Sequence, residues 1–363
     1  MSKEMNRRDF LKATAATGIV FCSCALLDAA HAQQPSGRRL PVVVKGKRVK
    51  TVDVHSHCYF RDVEPLLGAE AKILHPPVNG GEENFIVIDK RLTAMDAQGV
   101  DMEVLSINPF WYEKERDLAA QIVKIQNEKL AELCAAKPDR FAAFASLTLQ
   151  APELAIEELQ TAVKKQGFRG AAIGGWVAGD EFSSPKFHPV WAKAEELGAV
   201  LFIHPQGIPE LSKRLAGNGI LGNTIANPLE TTIALSHLIF EGTLDKFPGL
   251  KIIAAHGGGY LPFYPDRSDH ACALGGCDPK IILKKKPSEY LRQLYFDSLV
   301  FTSEAIRHLV AQVGASQIVM GSDYPYPWQP HPVDHILGCK SLTQKEKVAI
   351  LGGTAVRLLR ITT

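Results

Sequence analysis

The sequence predicts an α/β protein built as a (β/α)8 TIM barrel. Three observations predict it: eight short apolar runs of strand type lie between residues 51 and 325, segments of helical period separate them, and no glycine-rich phosphate turn follows the first run. Such alternation is typical of parallel strands joined by crossover helices. An open doubly wound sheet, the competing architecture, would normally carry the phosphate turn after its first strand.

The strand candidates follow one another along most of the chain, at residues 51–57, 101–107, 141–147, 168–175, 199–205, 250–258, 294–300 and 317–325. Helix candidates lie between them at residues 117–136, 152–166, 187–197, 228–245 and 303–313. The segment 58–88 contains several prolines and the pair Gly80-Gly81, which predicts an extended loop over the barrel mouth. Long loops at that position usually shape a substrate pocket.

The first 32 residues have the pattern of an export signal. They contain paired arginines in "RRDFLK", an apolar run over residues 13–27 and the cleavage-type ending Ala30-His31-Ala32. The apolar run is shorter than the roughly 20 residues that cross a bilayer, so we expect cleavage and release rather than a membrane anchor. "RRDFLK" resembles the twin-arginine signal, which implies a periplasmic protein exported by that route.

Composition favours one soluble catalytic domain after that signal. Residues 33–49 form a basic segment that we expect to be a flexible linker, and residues 50–363 have the length of one elaborated barrel. Lys and Arg total 41 against 39 for Asp and Glu, a formal net charge of +2. This balance provides no large excess of positive charge of the kind that binds nucleic acid or an anionic membrane, so a small-molecule partner is favoured.

The seven cysteines provide no C-x-x-C pair, which excludes a zinc ribbon and a thioredoxin-like motif. Cys272 and Cys277 lie together in a glycine-rich segment. A local disulfide between them and two unpaired thiols are both compatible with the sequence.

Five ionisable residues occur at the ends of predicted strands. Residues two apart on a strand point to the same side, so His55 and His57 can both face the barrel interior. His204, His256 and Asp323 end the fifth, sixth and eighth strand runs, where barrel enzymes carry out chemistry. Imidazole nitrogens with one carboxylate oxygen suit Zn²⁺ or a similar divalent ion such as Mn²⁺, with a position left for water. An open position indicates catalysis rather than structural binding.

The chain resembles the aminocarboxymuconate-semialdehyde decarboxylase branch of the amidohydrolase superfamily. The matching stretches, in the family's order, are "VDVHSH", "MDAQGVD", "FIHP", "HGGG", "PSEY" followed by "FDS", and "GSDYPYP". They span nearly all of residues 50–360. The resemblance implies a mononuclear metal held by His55, His57, His204 and Asp323, with His256 as the acid/base that acts on metal-bound water.

The fourth strand run also predicts a single metal. Two-metal relatives generally place a bridging Lys or acidic residue there, whereas this chain has Ile173, Gly174 and Gly175. Two dications without a bridging anion would repel one another strongly.

Substrate recognition is expected to involve Arg267. It matches a family arginine that grips a substrate carboxylate and can come from a neighbouring subunit, so the resemblance implies a homodimer. The other substrate-binding arginine of the family corresponds to Ile86, which predicts a substrate with fewer carboxylates. Aromatic residues just past strand ends are candidates for a wall around a planar substrate: Phe60, Phe110, Trp111 and Trp176.

The leading functional hypothesis is a carbon–carbon lyase that removes CO₂ from a small aromatic or unsaturated carboxylic acid. The same metal centre could instead hydrolyse an amide, lactone or ester. A third hypothesis is a periplasmic binding protein without turnover. His256 argues against this third hypothesis, because a binding protein needs no free acid/base beside a metal.

Overall fold

Parallel strands joined by helices make up the described part of the molecule, so the predicted α/β class is confirmed. The computed structural model describes residues 41–74, 83–217 and 219–362. The strands are β1 (Val43–Val44), β2 (Lys47–Arg48), β3 (Val52–His57), β4 (Met102–Ser106), β5 (Phe141–Ala143), β6 (Gly170–Ile173), β7 (Val200–Ile203), β8 (Lys251–Ala254), β9 (Tyr295–Asp297) and β10 (Ile318–Val319). Strands β3 to β10 coincide with the eight predicted runs.

The eight parallel strands form two sheets whose edges meet. One sheet has the order β3-β4-β5 and the other the order β10-β9-β8-β7-β6. Parallel bridges join the sheets at both edges, from Asp53 to Met320 and from Ser56 to Tyr324 on one side and from Ala145 to Ala171 on the other. Each strand in this succession therefore neighbours the strands before and after it in the chain.

The helices follow the strands in sequence. The α-helices are α1 (Glu64–Leu67), α2 (Glu83–Ile86), α3 (Ile88–Gln98), α4 (Arg116–Ala136), α5 (Pro152–Lys164), α6 (His188–Leu197), α7 (Pro209–Arg214), α8 (Gly219–Leu221), α9 (Asn227–Phe240), α10 (Thr243–Lys246), α11 (Asp266–Ala273), α12 (Ser303–Val313), α13 (Pro332–Gly338), α14 (Gln344–Val348) and α15 (Thr354–Leu358). The 3-10 helices are Arg61–Val63, Gly68–Leu74, Pro185–Phe187, His256–Gly258, Leu261–Phe263, Pro287–Gln293 and Ala315–Gln317, and the π-helical turns are Gly222–Ala226 and Ala349–Gly353.

Helical periodicity explains how these helices cover the sheets. In α12 the buried residues recur at three- and four-residue spacing, at Ile306, Leu309, Val310 and Val313. The Thr302 side chain accepts a hydrogen bond from the Ala305 amide and caps the first turn.

Two predicted segments differ from the structure. The helix expected over 228–245 is divided into α9 and α10, because Gly242 between them has a left-handed conformation that ends a helix. The segment 58–88, expected to be an extended loop, contains α1, α2 and two 3-10 helices in its described part. Leu67, Leu74 and Phe85 are buried there, so apolar anchors stabilise short helical turns.

The predicted export signal at 1–32 lies outside the described residues, as does the predicted linker up to residue 40. Within the rest of that linker, β1 and β2 form an antiparallel hairpin, and Val42, Val44 and Val49 are buried. In the described part of the chain, no helix has both the length and the apolar character that crossing a bilayer requires.

An apolar cluster fills the space among the parallel strands. Its buried members come from seven of the eight parallel strands or the residues that flank them and from the C-terminal helix, while Tyr295 of β9 packs against it; they include Val52, Met102, Phe144, Ala172, Val200, Phe202, Ile253, Val319, Ala355 and Leu358. The rings of Phe144 and Phe202 stack with centroids 5.7 Å apart. The space on this side of the strands is therefore a packed apolar core.

Strand β3 contains a bulge that changes which side chains face this core. Its register with β4 shifts between Asp53 and Ser56. Val54 belongs to the same apolar cluster as Phe202, and the His55 ring packs edge-on against Phe202 with centroids 5.1 Å apart. Strict alternation would turn His55 away from the side that Val54 occupies. The bulge adds a residue and turns the following histidines inward.

Cys272, in the last turn of α11, and Cys277, which follows that helix, form a disulfide, and this answers the question that the sequence left open. Both residues lie in an exposed, glycine-rich segment, where a short loop brings the two side chains together. The described free cysteines are Cys58, Cys134 and Cys339.

Candidate metal centre and acid/base site

Five ionisable side chains meet beyond the carboxyl ends of the parallel strands. His55 and His57 lie at the end of β3, and His204 directly follows β7. His256 begins the 3-10 helix after β8, and Asp323 lies shortly after β10. Because all these strands run in parallel, their carboxyl ends meet on one side of the molecule, and the structure brings together the five residues singled out by the sequence.

The ligand atoms lie within a few ångströms of one another. His55 Nε2 is 3.0 Å from His57 Nε2 and 3.1 Å from Asp323 Oδ1, and His57 Nε2 is 2.9 Å from the same oxygen. The His57 and His204 ring centroids are 4.5 Å apart. One ligand atom from each of His55, His204, His256 and Asp323 lies within 4.8 Å of the others.

This donor set fits a divalent cation. Ligands about 2.0–2.2 Å from a tetrahedral Zn²⁺ are roughly 3.4 Å apart, close to the spacings measured here. In the part of the chain that the structure describes, His204 Nδ1 is buried without a hydrogen-bond partner, and the buried Asp323 Oδ1 makes no hydrogen bond of regular geometry although His55 and His57 Nε2 lie within 3.1 Å of it. Buried polar atoms without a partner are destabilising, and a bound cation removes that cost at the oxygen.

The charges of the cluster favour a cation. Burial opposes ionisation of His55, but the attraction of Asp323 and a hydrogen bond to Asp297 raise the pKa of His55 to about 10. Burial lowers the pKa of His57 to about 4, and burial together with repulsion from the other histidines lowers the pKa of His204. His57 and His204 are thus held as neutral imidazoles beside the carboxylates of Asp297 and Asp323, and metal binding at His55 would require the loss of its Nε2 proton.

Asp297 connects His55 on β3 to the loop that contains His256. The His55 Nδ1 donates to Asp297 Oδ2 at 2.6 Å, and the amides of His256, Gly257 and Leu299 donate to the two carboxylate oxygens at 2.8–3.0 Å. Burial works against ionisation, but the His55 hydrogen bond lowers the pKa of Asp297. A carboxylate in this position fixes the orientation of the imidazole ligand.

Two of the site residues have a backbone conformation that is rare for their residue types. His256 and Asp323 have φ angles of 54° and 65°. Such conformations are uncommon outside glycine and occur often at functional sites. Gly259, in the same loop as His256, lies so close to α9 that a Cβ would be 2.1 Å from the Pro228 carbonyl oxygen, so the loop requires glycine there.

A cavity of about 440 Å³ opens beside the cluster. His57, His204 and Asp323 form part of its wall. Its described aromatic lining consists of Tyr59, Phe85, Phe110, Tyr112, Trp176, Tyr326 and Trp328, and its amide lining of Asn108, Gln206, Asn223 and Asn227. Among the described lining residues there is no Lys or Arg, so the positive charge needed by an acid substrate is not supplied by these side chains.

The other residues singled out by the sequence have different positions. Phe110 and Trp176 line the cavity, whereas Trp111 is fully buried and donates a hydrogen bond to the Leu147 carbonyl oxygen at 2.8 Å. Phe60 packs against the main core and is not part of the described lining. The aromatic wall was therefore only partly predicted, because a ring just past a strand end can turn either way.

Arg267 and Ile86 also lie outside the described cavity lining. Arg267 is exposed in the first turn of α11. Within α2, Phe85, the neighbour of Ile86, is the residue in the described cavity lining. Its ring centroid lies 5.5 Å from that of Tyr326.

Sequence reasoning missed Asp297, Phe85 and Tyr326. Asp297 is the last residue of β9 and belongs to the "FDS" motif. Asp323 was selected because it is a carboxylate at the end of a predicted strand, and the same criterion would have selected Asp297. Phe85 lies in the four-residue helix α2, which is too short to show a helical period, and Tyr326 lies in an irregular segment, so neither gives a periodic signal.

The family follows from a comparison with known proteins. A family model described as Amidohydrolase matches residues 52–361. The chain belongs to the amidohydrolase family.

Curated relatives of this amidohydrolase include two decarboxylases. The 2-amino-3-carboxymuconate-6-semialdehyde decarboxylase of Dictyostelium discoideum is 31% identical over 274 residues, covering 75% of this chain and 76% of the relative. The gamma-resorcylate decarboxylase of Rhizobium sp. (strain MTP-10005) is 32% identical over 285 residues, covering 75% of this chain and 87% of the relative. The first supports the branch inferred from the motifs.

A solved structure similar to this amidohydrolase contains a metal. The dihydroxybenzoic acid decarboxylase of Polaromonas sp. JS666, with bound manganese and the inhibitor 2-nitroresorcinol, superimposes with a TM-score of 0.75 at 26% identity. The match covers 86% of this chain and 97% of that chain. A metal-binding decarboxylase therefore shares nearly the whole fold.

Proposed function

We propose that this amidohydrolase is a metal-dependent carboxy-lyase that removes CO₂ from a small aromatic or unsaturated carboxylic acid. The observation that carries the proposal is a buried histidine–aspartate cluster that forms part of the wall of an aromatic cavity. Decarboxylases among the similar proteins support the reaction. The fold we infer is the closed (β/α)8 barrel, supported by the bridges that join the two sheets at both edges.

His55, His57, His204 and Asp323 are the ligands we assign to one divalent ion. His57 is the better fourth ligand because it is buried and 2.9 Å from Asp323 Oδ1, whereas His256 Nε2 is 3.8 Å from Asp323 Oδ2 and its side chain is 13% exposed. Three imidazoles and a carboxylate fit Zn²⁺, and the manganese in a similar structure makes Mn²⁺ the alternative. The bound ion would supply Lewis-acid polarisation of the substrate.

His256 is positioned to move the proton that decarboxylation requires. When CO₂ leaves, the carbon that carried it must receive a proton. His256 is outside the described cavity lining, but its Nε2 lies 3.8 Å from Oδ2 of Asp323, which is part of that lining, so a small movement of either side chain would let the proton pass from His256 through Asp323 to the substrate carbon. The amides of His256 and Gly257 donate hydrogen bonds to the Asp297 carboxylate, which holds the His256 backbone in place.

The cavity favours a planar substrate with a single carboxylate. Aromatic rings such as Phe110 and Trp176 contact a flat ring, while the amides of Asn108 and Gln206 can hydrogen-bond to neutral substituents such as hydroxyl groups. The described lining offers no cationic side chain for a second carboxylate. A single substrate carboxylate would be held by the bound metal ion.

A substrate panel tests the reaction. Metal-loaded protein is incubated with hydroxylated benzoic acids, matched benzamides and aromatic lactones, and CO₂ release is followed separately from C–N and C–O cleavage. We expect CO₂ from at least one acid. Sustained hydrolysis without CO₂ would instead assign a hydrolase, and tight binding of an acid without any product would assign a binding protein.

A homodimer completes the proposal, with Arg267 of one subunit acting at the site of the other. Its support is the exposed position of Arg267 away from the described cavity lining of its own chain. Mixing Arg267→Ala with His256→Ala protein should restore part of the activity. No restoration in a mixture that forms heterodimers would contradict a role in trans.

We also propose residues 1–32 as a twin-arginine export signal and 50–363 as the catalytic domain, with a periplasmic mature protein; of the predicted linker 33–49, only the residues before the β1–β2 hairpin keep that role. The support is the order of the paired arginines, the apolar run and the cleavage-type ending. Replacing both arginines with lysine should retain the precursor inside the cell. Mature periplasmic protein in a strain lacking that pathway would contradict the route.

A further inference from the structure

A fully buried arginine contacts the bulge that turns the β3 histidines inward. Arg91 lies in α3, and its Nη1 donates to Ser56 Oγ at 2.7 Å while its Nη2 donates to the His57 carbonyl oxygen. Both acceptors follow the register shift between β3 and β4. The guanidinium therefore bonds to the residues of β3 whose direction depends on the bulge.

The same guanidinium also contacts two other segments of the site. Its Nη1 donates to Glu103 Oε2 on β4 at 2.8 Å, and its Cζ lies 4.7 Å from the ring centroid of Tyr324, the residue after Asp323. One side chain thus connects β3, β4 and the segment after β10, and two of these carry proposed metal ligands.

We propose that Arg91 is a positioning residue of the metal centre, which holds the β3 bulge so that His55 and His57 face Asp323. Arg91 is absent from the described cavity lining, so it acts through the ligands rather than on the substrate. The inference rests on the metal centre of the proposed function.

The chemistry of the contact favours positioning over simple stabilisation. Arg91 and Glu103 are both fully buried, and burying an ion pair brings little net stability because both groups lose their hydration. The planar guanidinium, in contrast, can meet a hydroxyl, a carbonyl and a carboxylate in fixed directions at once, which Lys cannot do.

Arg140 offers a matched control away from the site. Its Nη2 donates to Asp96 Oδ1 at 2.9 Å and its Nε to the Asp101 carbonyl oxygen at 2.9 Å, with the side chain 15% exposed. It immediately precedes β5, at the opposite ends of the strands from the ligands. Arg140→Lys therefore removes a similar set of bonds without touching the β3 bulge.

The test compares full-length Arg91→Lys, Arg140→Lys and wild-type protein. Zn²⁺ affinity is measured by competition with a chromogenic chelator, and the melting temperature of the metal-free form by circular dichroism. We expect Arg91→Lys to weaken Zn²⁺ binding about 10- to 100-fold, as removal of groups that orient metal ligands typically does. Arg140→Lys should leave Zn²⁺ affinity unchanged, even if both variants melt earlier.

Equal Zn²⁺ affinity in Arg91→Lys and wild type would overturn the positioning role while leaving the metal centre intact. Wild-type protein that binds neither Zn²⁺ nor Mn²⁺ would overturn the proposed function and this role together. If Arg91→Lys does not fold, Ser56→Ala removes one contact with the bulge and preserves the ion pair. It should weaken binding about fivefold, in line with one lost hydrogen bond, and unchanged binding would contradict the inference.

Discussion

The two ends of the parallel strands have opposite chemistry. At their starts, Val52, Met102 and Val200 belong to an apolar cluster that includes Ala355 and Leu358 of the C-terminal helix. At their carboxyl ends the buried residues include His55, His57, His204, Asp297 and Asp323, and a bulge or a positive φ occurs at several positions of this end. Regular backbone accompanies the apolar end, and irregular backbone accompanies the ionisable end.

The comparison teaches that stability and chemistry are separated along one set of strands. Apolar burial stabilises the fold wherever side chains fit, and needs no particular direction. A metal centre requires each donor to point at one place, which regular alternation cannot provide for both Val54 and His55. Substitutions at the two ends should therefore change different measurable quantities.

The largest expected effect is on stability, from Leu358→Ala. Leu358 is buried in the apolar cluster at the starts of the strands, so removing its side chain should lower the free energy of unfolding by about 2–5 kcal/mol. Urea denaturation of the metal-free protein measures this. Activity per folded molecule should change little, and a selective loss of activity without loss of stability would break the separation.

His256→Asn should have the opposite signature. It removes the proposed proton donor, so turnover should fall about 100-fold or more, while the free energy of unfolding changes little because the side chain is partly exposed. Steady-state kinetics on an accepted acid and urea denaturation provide the two readouts. Turnover within threefold of wild type would exclude His256 from proton transfer.

Asp297→Asn compares the proposed metal ligand His55 with the carboxylate that orients it. The variant keeps the shape of the side chain but loses the charge that accepts the His55 hydrogen bond, so we expect metal affinity to fall about tenfold or more. Chelator competition measures the change. Unchanged affinity would mean that the His55 ring is held in place by packing alone.

The smallest effect is expected from Trp176→Ala on the cavity wall. An aromatic contact contributes about 0.5–1.5 kcal/mol, so KM for an aromatic acid should rise about two- to tenfold with little change in kcat. A fall in kcat at unchanged KM would indicate that Trp176 acts in the chemical step instead of in binding.

Much of this architecture could be predicted from the sequence because it depends on local patterns. The eight apolar runs coincide with β3 to β10, and His55, His57, His204, His256 and Asp323 meet because residues at the ends of parallel strands must be neighbours. These inferences need only periodicity and order along the chain.

The rest depends on tertiary contacts that no local pattern encodes. The bulge in β3 is not visible in "VDVHSH", although it determines where His55 points. The role of Arg91 depends on groups from β3, β4 and the segment after β10, and Phe85 reaches the cavity from a segment that was expected to be a loop. Whether Trp111 faces the cavity or the core is likewise decided by packing.

The central claim is that one divalent ion held by this cluster carries a decarboxylation, and a metal titration tests it most directly. Protein stripped with chelator is titrated with Zn²⁺ or Mn²⁺ while CO₂ release from an accepted acid is followed. We predict no CO₂ release from stripped protein and a rise that saturates at one ion per chain, with Asp323→Asn inactive throughout. CO₂ release that survives complete metal removal, or saturation at two ions per chain, would contradict the account.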